Sequence, residues 1–227
     1  MSIFKGFDFA RVSGMLLDGM WVTAQVTVLS LLIALVIGLI SCLMGLSKFR
    51  VPRWISGFYL WLIRGTPFIV QLFIIYFGIP QFIKAIGIEG FKITAFAAAT
   101  ITLALNAGAY ISEIFRGGIT AIDKGQMEAA RSLGLSKSRA MIKVILPQAF
   151  KISVPALCNQ FIITLKDSSL ASCISLKEIV FQGRQYADAN YQMFATYLMI
   201  GVAYLIIISI LSWGIKLIER RLNVGKS

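Results

Sequence analysis

Long apolar blocks separated by short polar segments dominate the chain. The blocks cover residues 19–45, 54–79, 91–115, 148–180 and 192–218, and the fourth is the most polar of them. Each is at least as long as the roughly 20 residues with which an α-helix crosses the hydrocarbon core of a bilayer. The pattern predicts an all-α, polytopic membrane protein with about five transmembrane helices.

Composition agrees with this prediction. Hydrophobic residues make up 58% of the 227 residues and charged residues only 14%, whereas soluble domains carry about 25% charged residues. Mean hydropathy is +0.81. The first 19 residues mix polar and charged side chains, unlike a cleavable signal peptide, and the following apolar block is longer than a signal peptide's. We predict a single transmembrane domain over residues 1–227.

The net charge is +12, and most of the lysines and arginines that produce it lie in the segments between the apolar blocks. If the blocks are spans, fourteen lysines and arginines lie on one side of the membrane and six on the other. Because cytoplasmic loops of membrane proteins are enriched in these residues, the N-terminus is predicted outside and the C-terminus in the cytoplasm. Membrane topology explains the charge, and no nucleic-acid partner is expected.

The longest polar segment, residues 117–147, carries a helical hairpin pattern on the basic side. Glu128, Ala129 and Ala130 favour a helix. Gly134 permits a left-handed turn, and Ser136 can cap a second helix. That second helix is predicted to stop at Pro147. From the residues alone, the segment is either a docking element for a partner or an amphipathic loop packed on the membrane face.

The spacing of these residues resembles the EAA loop of ABC importer permeases. Val144 stands where that motif has an isoleucine. Further stretches resemble polar amino acid permeases, closest to those for glutamine and similar substrates, and the resemblance covers nearly the whole chain. These stretches are Arg64-Gly65-Thr66-Pro67 with Gln71, Gly108 to Gly117, and Leu165 to Leu170.

This resemblance implies a type I ABC importer permease of the bacterial cell membrane. Glu128, Ala129, Ala130 and Gly134 would form the coupling helix that docks into an ATPase subunit, where ATP and Mg are bound. A homodimer, or a heterodimer with a related permease, would enclose the path. An extracytoplasmic amino-acid-binding protein would deliver the substrate near residues 82–90 and 177–189.

The sequence offers no catalytic or cofactor site, so we predict a permease subunit that is not an enzyme. It has no phosphate-binding loop and no histidine. Its three cysteines lie apart within apolar blocks, so neither a disulfide framework nor a metal site is predicted. Membrane lipids surround the spans.

Polar side chains interrupt three blocks near one depth. At 1.5 Å per residue, Arg64, Asn106 and Gln160 each lie about 15 Å from an end of their block, near the middle of a hydrocarbon core of about 30 Å. Polar groups inside a membrane are costly, which makes them candidates for function. Helical spacing and the expected kink at Pro67 extend the predicted substrate site to Gln71, Thr102, Thr164 and Asp167.

These side chains suit an α-amino acid. Arg64 could bind the carboxylate and Asp167 the ammonium, while the amides and hydroxyls read the side chain. Alternatively, they bond between helices, with an Arg64–Asp167 ion pair. Glu113 and Arg116 form either an intrahelical pair or a gate.

The neutral Gln160 favours a neutral polar substrate such as glutamine or cystine. The rival function is a secondary amino acid transporter driven by an ion gradient, which leaves the EAA pattern unexplained.

Overall fold

The computed structural model describes residues 6–221, and all regular structure within them is helical. Lys5 and Lys226, which enter the charge count of the loops, lie outside the described residues. The helices are α1 (Phe9–Gly45), α2 (Arg50–Arg64), α3 (Phe68–Phe73), α4 (Ile79–Ala85), α5 (Ala95–Thr120), α6 (Lys124–Ser132), α7 (Lys137–Ala140), α8 (Leu146–Asp167), α9 (Ile179–Asn190) and α10 (Met193–Arg221).

Five helical segments are long and apolar enough to cross a membrane, which confirms the predicted fold class. They are Phe9–Gly45, Phe68–Ala85, Ala95–Thr120, Lys137–Ile174 and Met193–Leu217. Three of the five spans differ clearly from the prediction. The first starts at Phe9 instead of residue 19, the second covers Phe68–Ala85 instead of 54–79, and the fourth covers Lys137–Ile174 instead of 148–180.

Small residues bring α1 and α5 into close contact at the centre of the fold. A side chain on Gly38 would lie 2.6 Å from Cγ2 of Ile111, and one on Gly108 would lie 3.0 Å from Cγ2 of Ile37. Ser30 Oγ donates to the carbonyl of Thr100 at 3.2 Å. Close backbone approach through glycine, alanine and serine is typical of helix pairs in membranes. The two helices run side by side in the same direction, so Ser41 lies near Ile111.

Prolines divide the second apolar block. As expected, Pro67 breaks the helix, since α2 ends at Arg64 and α3 starts at Phe68. Pro80, which directly follows the predicted block 54–79, does not end the helix but sits in the first turn of α4. A π-helical turn, Ile74–Gly78, precedes it and lets the backbone N–H of Ile79 bond to the carbonyl of Ile74. Proline lacks an N–H, and the wider turn rearranges the backbone bonds around it.

The fourth block was predicted as one span to residue 180, which is wrong. Helix α8 ends at Asp167 and a 3₁₀ helix, Ser168–Ile174, completes the span. Ser175 adopts a left-handed backbone with φ of 64°, which turns the chain away. Helix α9 then begins as a separate element before α10.

A buried glutamate anchors α9 to the spans. Glu178 is fully buried and caps the N-terminus of α9, accepting bonds from the N–H groups of Val180 at 2.9 Å and Phe181 at 2.7 Å. The hydroxyl of Tyr204 on α10 donates to the same carboxylate at 3.4 Å. Thr23 on α1 accepts from the N–H of Ile179 at 3.4 Å. The start of α9 is therefore fixed to both α1 and α10.

Adding a methyl group at Gly19 should destabilise this junction. A Cβ at Gly19 would lie 2.8 Å from backbone atoms of Glu178 and Ile179, which cannot rotate aside. We expect Gly19→Ala to lower the free energy of unfolding by about 2 kcal/mol, as overpacking does. Gly14→Ala is the matched control on the same helix, because a Cβ there meets nothing within 4 Å. It should stabilise by about 0.5 kcal/mol. Thermal unfolding in detergent measures both, and equal shifts would contradict the packing described.

Stability should also depend on pH through Glu178. Burial raises the pKa of this carboxyl to about 7, against the opposing effect of the Val180 and Phe181 N–H groups, Tyr204 and the Arg184 charge. Because the folded pKa lies above the unfolded value, the folded state binds the proton more tightly. The contribution of Glu178 to stability should be complete below about pH 4.5 and be lost as the pH rises through 7. We expect the unfolding temperature to drop by a few degrees between pH 5 and 8, and Glu178→Gln to remove that drop.

Candidate substrate path and coupling segment

Helices α5 and α8 each carry a buried amide, and the two amides lie at a similar level of the bundle. Ser153 Oγ on α8 donates to the carbonyl of Ile114 on α5 at 3.4 Å, and the two helices run in opposite directions. Seven residues along α8 therefore place Gln160 opposite Ala107, next to Asn106. Both amides are largely buried, at 5% and 8% exposure.

Gln71 on α3 connects the Pro67 break to α5. Its Nε2 donates to the carbonyls of Ile63 at 2.7 Å and Thr66 at 3.0 Å, which have lost helical partners at the break. Its Oε1 accepts from Asn106 Nδ2 at 3.1 Å. The structure thus joins two of the predicted site residues in a network that also satisfies the broken backbone.

The threonines of the predicted site bond within their own helices. Thr102 Oγ1 donates to the carbonyl of Ala98 at 2.7 Å, and Thr164 Oγ1 donates to that of Gln160 at 2.9 Å. Gln160 Nε2 lies 3.4 Å from Thr164 Oγ1. Thr102 and Thr164 are almost fully buried, so they are accessible only from inside the bundle.

Arg64 does not meet Asp167. Its Nη1 lies 3.2 Å from Oε2 of Glu113, and its guanidinium carbon lies 5.7 Å from the ring centre of Tyr110. Arg64 is thus placed near Glu113, closer to the basic-loop end of α5 than Asn106. The predicted Arg64–Asp167 ion pair is absent from the described residues because α2 directs Arg64 toward that end of α5. Asp167 ends α8, half-buried.

The predicted pair between Glu113 and Arg116 is confirmed, and Glu113 also contacts Arg64. Arg116 binds Glu113 through Nε at 2.9 Å and Nη2 at 2.6 Å. Glu113 therefore keeps a bidentate partner even when Arg64 leaves it. Arg64 is the more weakly held arginine, and its side chain is 44% exposed. Because its guanidinium is partly exposed and makes only a single N–O contact with Glu113, Arg64 can bind an incoming carboxylate.

The segment 117–147 forms the predicted helix and glycine turn. Helix α6 ends in a left-handed Gly134, φ 85°. The N–H of Leu135 bonds to the carbonyl of Ala130 at 3.2 Å and that of Gly134 to Arg131 at 3.0 Å. This pattern is a Schellman motif, which requires a left-handed residue where Gly134 stands. Ser136 caps α7 as predicted, accepting from the N–H of Arg139 at 3.4 Å.

The second helix does not stop at Pro147, which corrects the prediction. A π-helical turn, Met141–Ile145, joins α7 to α8, and Pro147 occupies the first turn of α8. The N–H of Leu146 bonds to the carbonyl of Met141, as at the other π turn. Helix α7 is therefore continuous with the fourth span.

One face of the hairpin is exposed. Glu128, Ala129 and Gly134 are exposed, whereas Ala130 is buried at 5% exposure. Leu133 is 85% exposed, which is unusual for a leucine and was not singled out from the sequence.

Several structural partners could not be read from the sequence. Tyr59 Oη donates to the carbonyl of Leu105 at 2.6 Å, and Ser56 Oγ donates to that of Ser41 at 2.8 Å. Both contacts join α2 to its neighbours and depend on how α2 crosses them. Among the described residues, no group of three or more histidine, cysteine, aspartate or glutamate side chains could hold a metal.

Comparison with known proteins identifies the family. The family described as "binding-protein-dependent transport system inner membrane component" matches residues 34–224. The arginine transport system permease protein ArtQ of Bacillus subtilis is 40% identical over 208 residues, covering 92% of each chain. The L-cystine permease protein TcyB of the same organism is 39% identical, covering 90% of this chain and 85% of its own. A putative glutamine permease protein GlnP of Rickettsia bellii is 35% identical, covering 92% and 94%.

Comparison with solved structures identifies the same kind of protein. A crystal structure described as an amino acid ABC transporter with histidines has a TM-score of 0.86 at 38% identity, covering 93% of this chain and 95% of its own. The MetNI methionine ABC transporter in an inward-facing conformation has a TM-score of 0.77 at 22% identity, which shows a shared fold. The chain therefore belongs to the family of binding-protein-dependent transport system inner membrane components, as a multi-pass membrane subunit.

Proposed function

We propose that the chain is the permease subunit of an ABC importer for polar amino acids and that a separate ATPase hydrolyses the ATP. The exposed hairpin around Gly134 carries this proposal. It presents Glu128, Ala129 and Leu133 on the side with most basic loops, and it continues through the π turn into the fourth span. Force on α6 would pass through the hydrogen-bonded turn at Gly134 into α7, which is helically continuous with the helix that carries Gln160.

The proposed partners follow from the same arrangement. Two ATPase subunits, which bind ATP and Mg, would each receive one hairpin. A second copy or a related permease would complete the path. An extracytoplasmic binding protein would dock near residues 82–90 and 177–189, with the N-terminus outside and the C-terminus in the cytoplasm.

The proposed substrate class is the zwitterionic α-amino acid. The relatives are named for arginine, cystine and glutamine, which share an α-carboxylate and an α-ammonium. In the proposed path, Arg64 exchanges Glu113 for the substrate carboxylate. Asp167 lies at the end of α8, about 20 Å along that helix from the level of Glu113, and binds the ammonium at a separate stage of transport. Gln71, Thr102, Asn106, Gln160 and Thr164 line the path between them. Because Gln160 is neutral, we propose neutral side chains such as those of glutamine or cystine.

Uptake by the complete importer in proteoliposomes tests this function. Radiolabelled glutamine should enter only with ATP, the ATPase and the binding protein present, and collapse of proton and sodium gradients should have no effect. Unlabelled cystine should compete better than arginine or glutamate. Gradient-driven uptake without ATP would overturn the proposal in favour of a secondary transporter. Competition only by arginine would retain the importer and overturn the neutral substrate.

A further inference from the structure

A small polar cavity lies between α1, α2 and α5 at their basic-loop ends. Helix α2 runs back along α1, because Ser56 contacts Ser41 and, further along α2, Tyr59 lies with Ile37 against Gly108. The cavity has a volume of about 220 Å³, roughly that of seven water molecules. It therefore has room for a molecule the size of a small amino acid.

Two arginines give the cavity hydrogen-bond donors. Arg53 and Arg116 both line it. Arg53 uses one nitrogen, Nη2, on a backbone carbonyl at 2.9 Å, and Arg116 uses Nε and Nη2 on Glu113. Because a guanidinium carries five N–H donors, each arginine has donors left for a carboxylate.

The cavity also offers acceptors for a cation. Ser56 Oγ donates to the carbonyl of Ser41 at 2.8 Å, so Ser41 supplies the hydrogen in the 3.0 Å contact between the two hydroxyls. Ser41 is buried at 5% exposure, and no group among the described residues donates to its Oγ. The second acceptor is the carboxylate of Glu113, which also lines the cavity. When Arg64 takes the substrate carboxylate, Glu113 loses one of its two cationic partners and can bind an ammonium instead.

We infer that this cavity is a second binding site for the transported amino acid, occupied as the substrate leaves Arg64. Arg53 and Arg116 bind the carboxylate. Glu113 and Ser41 bind the ammonium. In the proposed orientation, the cavity lies on the side where substrate is released, and Glu113 connects it to Arg64 at 3.2 Å. This role in release rests on the proposed function, whereas binding in the cavity can be measured without transport.

Protection of an added cysteine tests binding in the cavity. Gly57 lines the cavity and is exposed, and a Cβ there meets nothing within 4 Å. Gly57→Cys is made in a chain whose three native cysteines are replaced by alanine. The complete importer, in nanodiscs without ATP, then reacts with an anionic methanethiosulfonate. Millimolar glutamine should slow this reaction, whereas N-acetylglutamine, which lacks the ammonium, and glutaminol, which lacks the carboxylate, should not.

Matched variants show where the glutamine binds. Gly117→Cys is the control cysteine, because Gly117 is exposed at the same end of the spans, has open space for a Cβ and lies outside the cavity lining. Glutamine should leave its reaction rate unchanged. In the Gly57→Cys chain, Arg53→Gln should raise the glutamine concentration for half protection at least about ten-fold, since it removes a charge-assisted bond. Arg50→Gln, on the same helix but outside the cavity lining, should not.

Two results of the protection experiment would overturn the inference. Equal protection by glutamine and N-acetylglutamine would show that the cavity binds an anion and does not recognise the ammonium. Absence of protection at Gly57→Cys would show that the amino acid does not enter the cavity. Neither result depends on uptake, so a failure of the proposed transport function is recognised separately.

Filling the cavity tests its role in release. Gly57→Phe, made in the chain with its native cysteines, places a ring at the exposed side of the cavity without a backbone clash. Uptake should fall at least about five-fold, because the ring occupies space that the substrate needs, while co-purification of the ATPase stays normal. Gly117→Phe is the control and should leave uptake unchanged. Normal uptake by Gly57→Phe would place the cavity off the transport path and overturn the release role.

Discussion

Glu128→Arg is expected to lower ATP-driven uptake at least about ten-fold while leaving the permease folded. Glu128 is exposed on α6, and its carboxylate makes no hydrogen bond or ion pair with the described residues of its own chain. The substitution therefore removes nothing that holds the subunit together. If the hairpin docks into an ATPase groove, reversed charge at a desolvated contact costs about 2 kcal/mol or more. Uptake in proteoliposomes and co-purification of the ATPase measure the effect.

The control for this prediction lies at the opposite end of the spans. Glu89→Arg makes the same charge change at an exposed position in the loop between α4 and α5, and ATPase co-purification should be unaffected. A third variant, Leu133→Asp, tests the exposed apolar residue at the C-terminal end of α6, and it should also lower ATPase co-purification if the turn at Gly134 enters the groove. Normal ATPase binding and uptake by Glu128→Arg would refute docking through this face.

Residues 117–147 were the most predictable part of the candidate site because local rules determine their structure. A left-handed turn needs glycine, and Gly134 supplies it. A serine before a short helix caps it, and Ser136 does so. Each rule acts within five residues, so no knowledge of tertiary packing was needed. The outcome at Pro147 was not foreseen, since a preceding π turn can carry a helix past a proline and leaves no clear mark in the sequence.

The partners of Arg64 were not predictable in the same way. Hydropathy showed one apolar block over residues 54–79, and depth counted along it placed Arg64 beside Asn106. The structure divides the block at Pro67, and the long side chain of Arg64 extends toward the basic-loop end of α5, so that it reaches Glu113 instead of Asp167. Residue counting gives the depth of the backbone, whereas a long arginine side chain carries its charge away from that depth. The spacing of Trp54, Phe58 and Trp61 on one face was the signal in the sequence that α2 is amphipathic.

Glu178 shows a second limit of prediction from hydropathy. Hydropathy extended the fourth block to residue 180, although the chain leaves the span at Ser175 and Glu178 caps a separate helix. A glutamate between apolar residues could be placed only by the helices that bury it. Both errors concern how elements meet, whereas the number and nature of the spans followed from composition and length.

Replacing Gln71 by leucine is expected to be the most destabilising single change among the proposed site residues. Gln71→Leu leaves the carbonyls of Ile63 and Thr66 without a donor at the Pro67 break, and it removes the acceptor of the Asn106 amide. Each unsatisfied buried group costs about 1–3 kcal/mol. We expect a loss of about 4 kcal/mol in the free energy of unfolding, measured by thermal unfolding of the purified subunit in detergent.

Thr102→Val is the matched control for this substitution, because it also replaces a buried polar residue of the proposed site with an apolar one. Its hydroxyl donates only to Ala98 of its own helix, and that carbonyl retains its backbone partner. The expected loss is below about 1 kcal/mol. If Gln71→Leu were as stable as Thr102→Val but failed to take up substrate, Gln71 would act on the substrate and not on the backbone. If it were both unstable and inactive, the transport defect would follow from the broken connection between α2, α3 and α5.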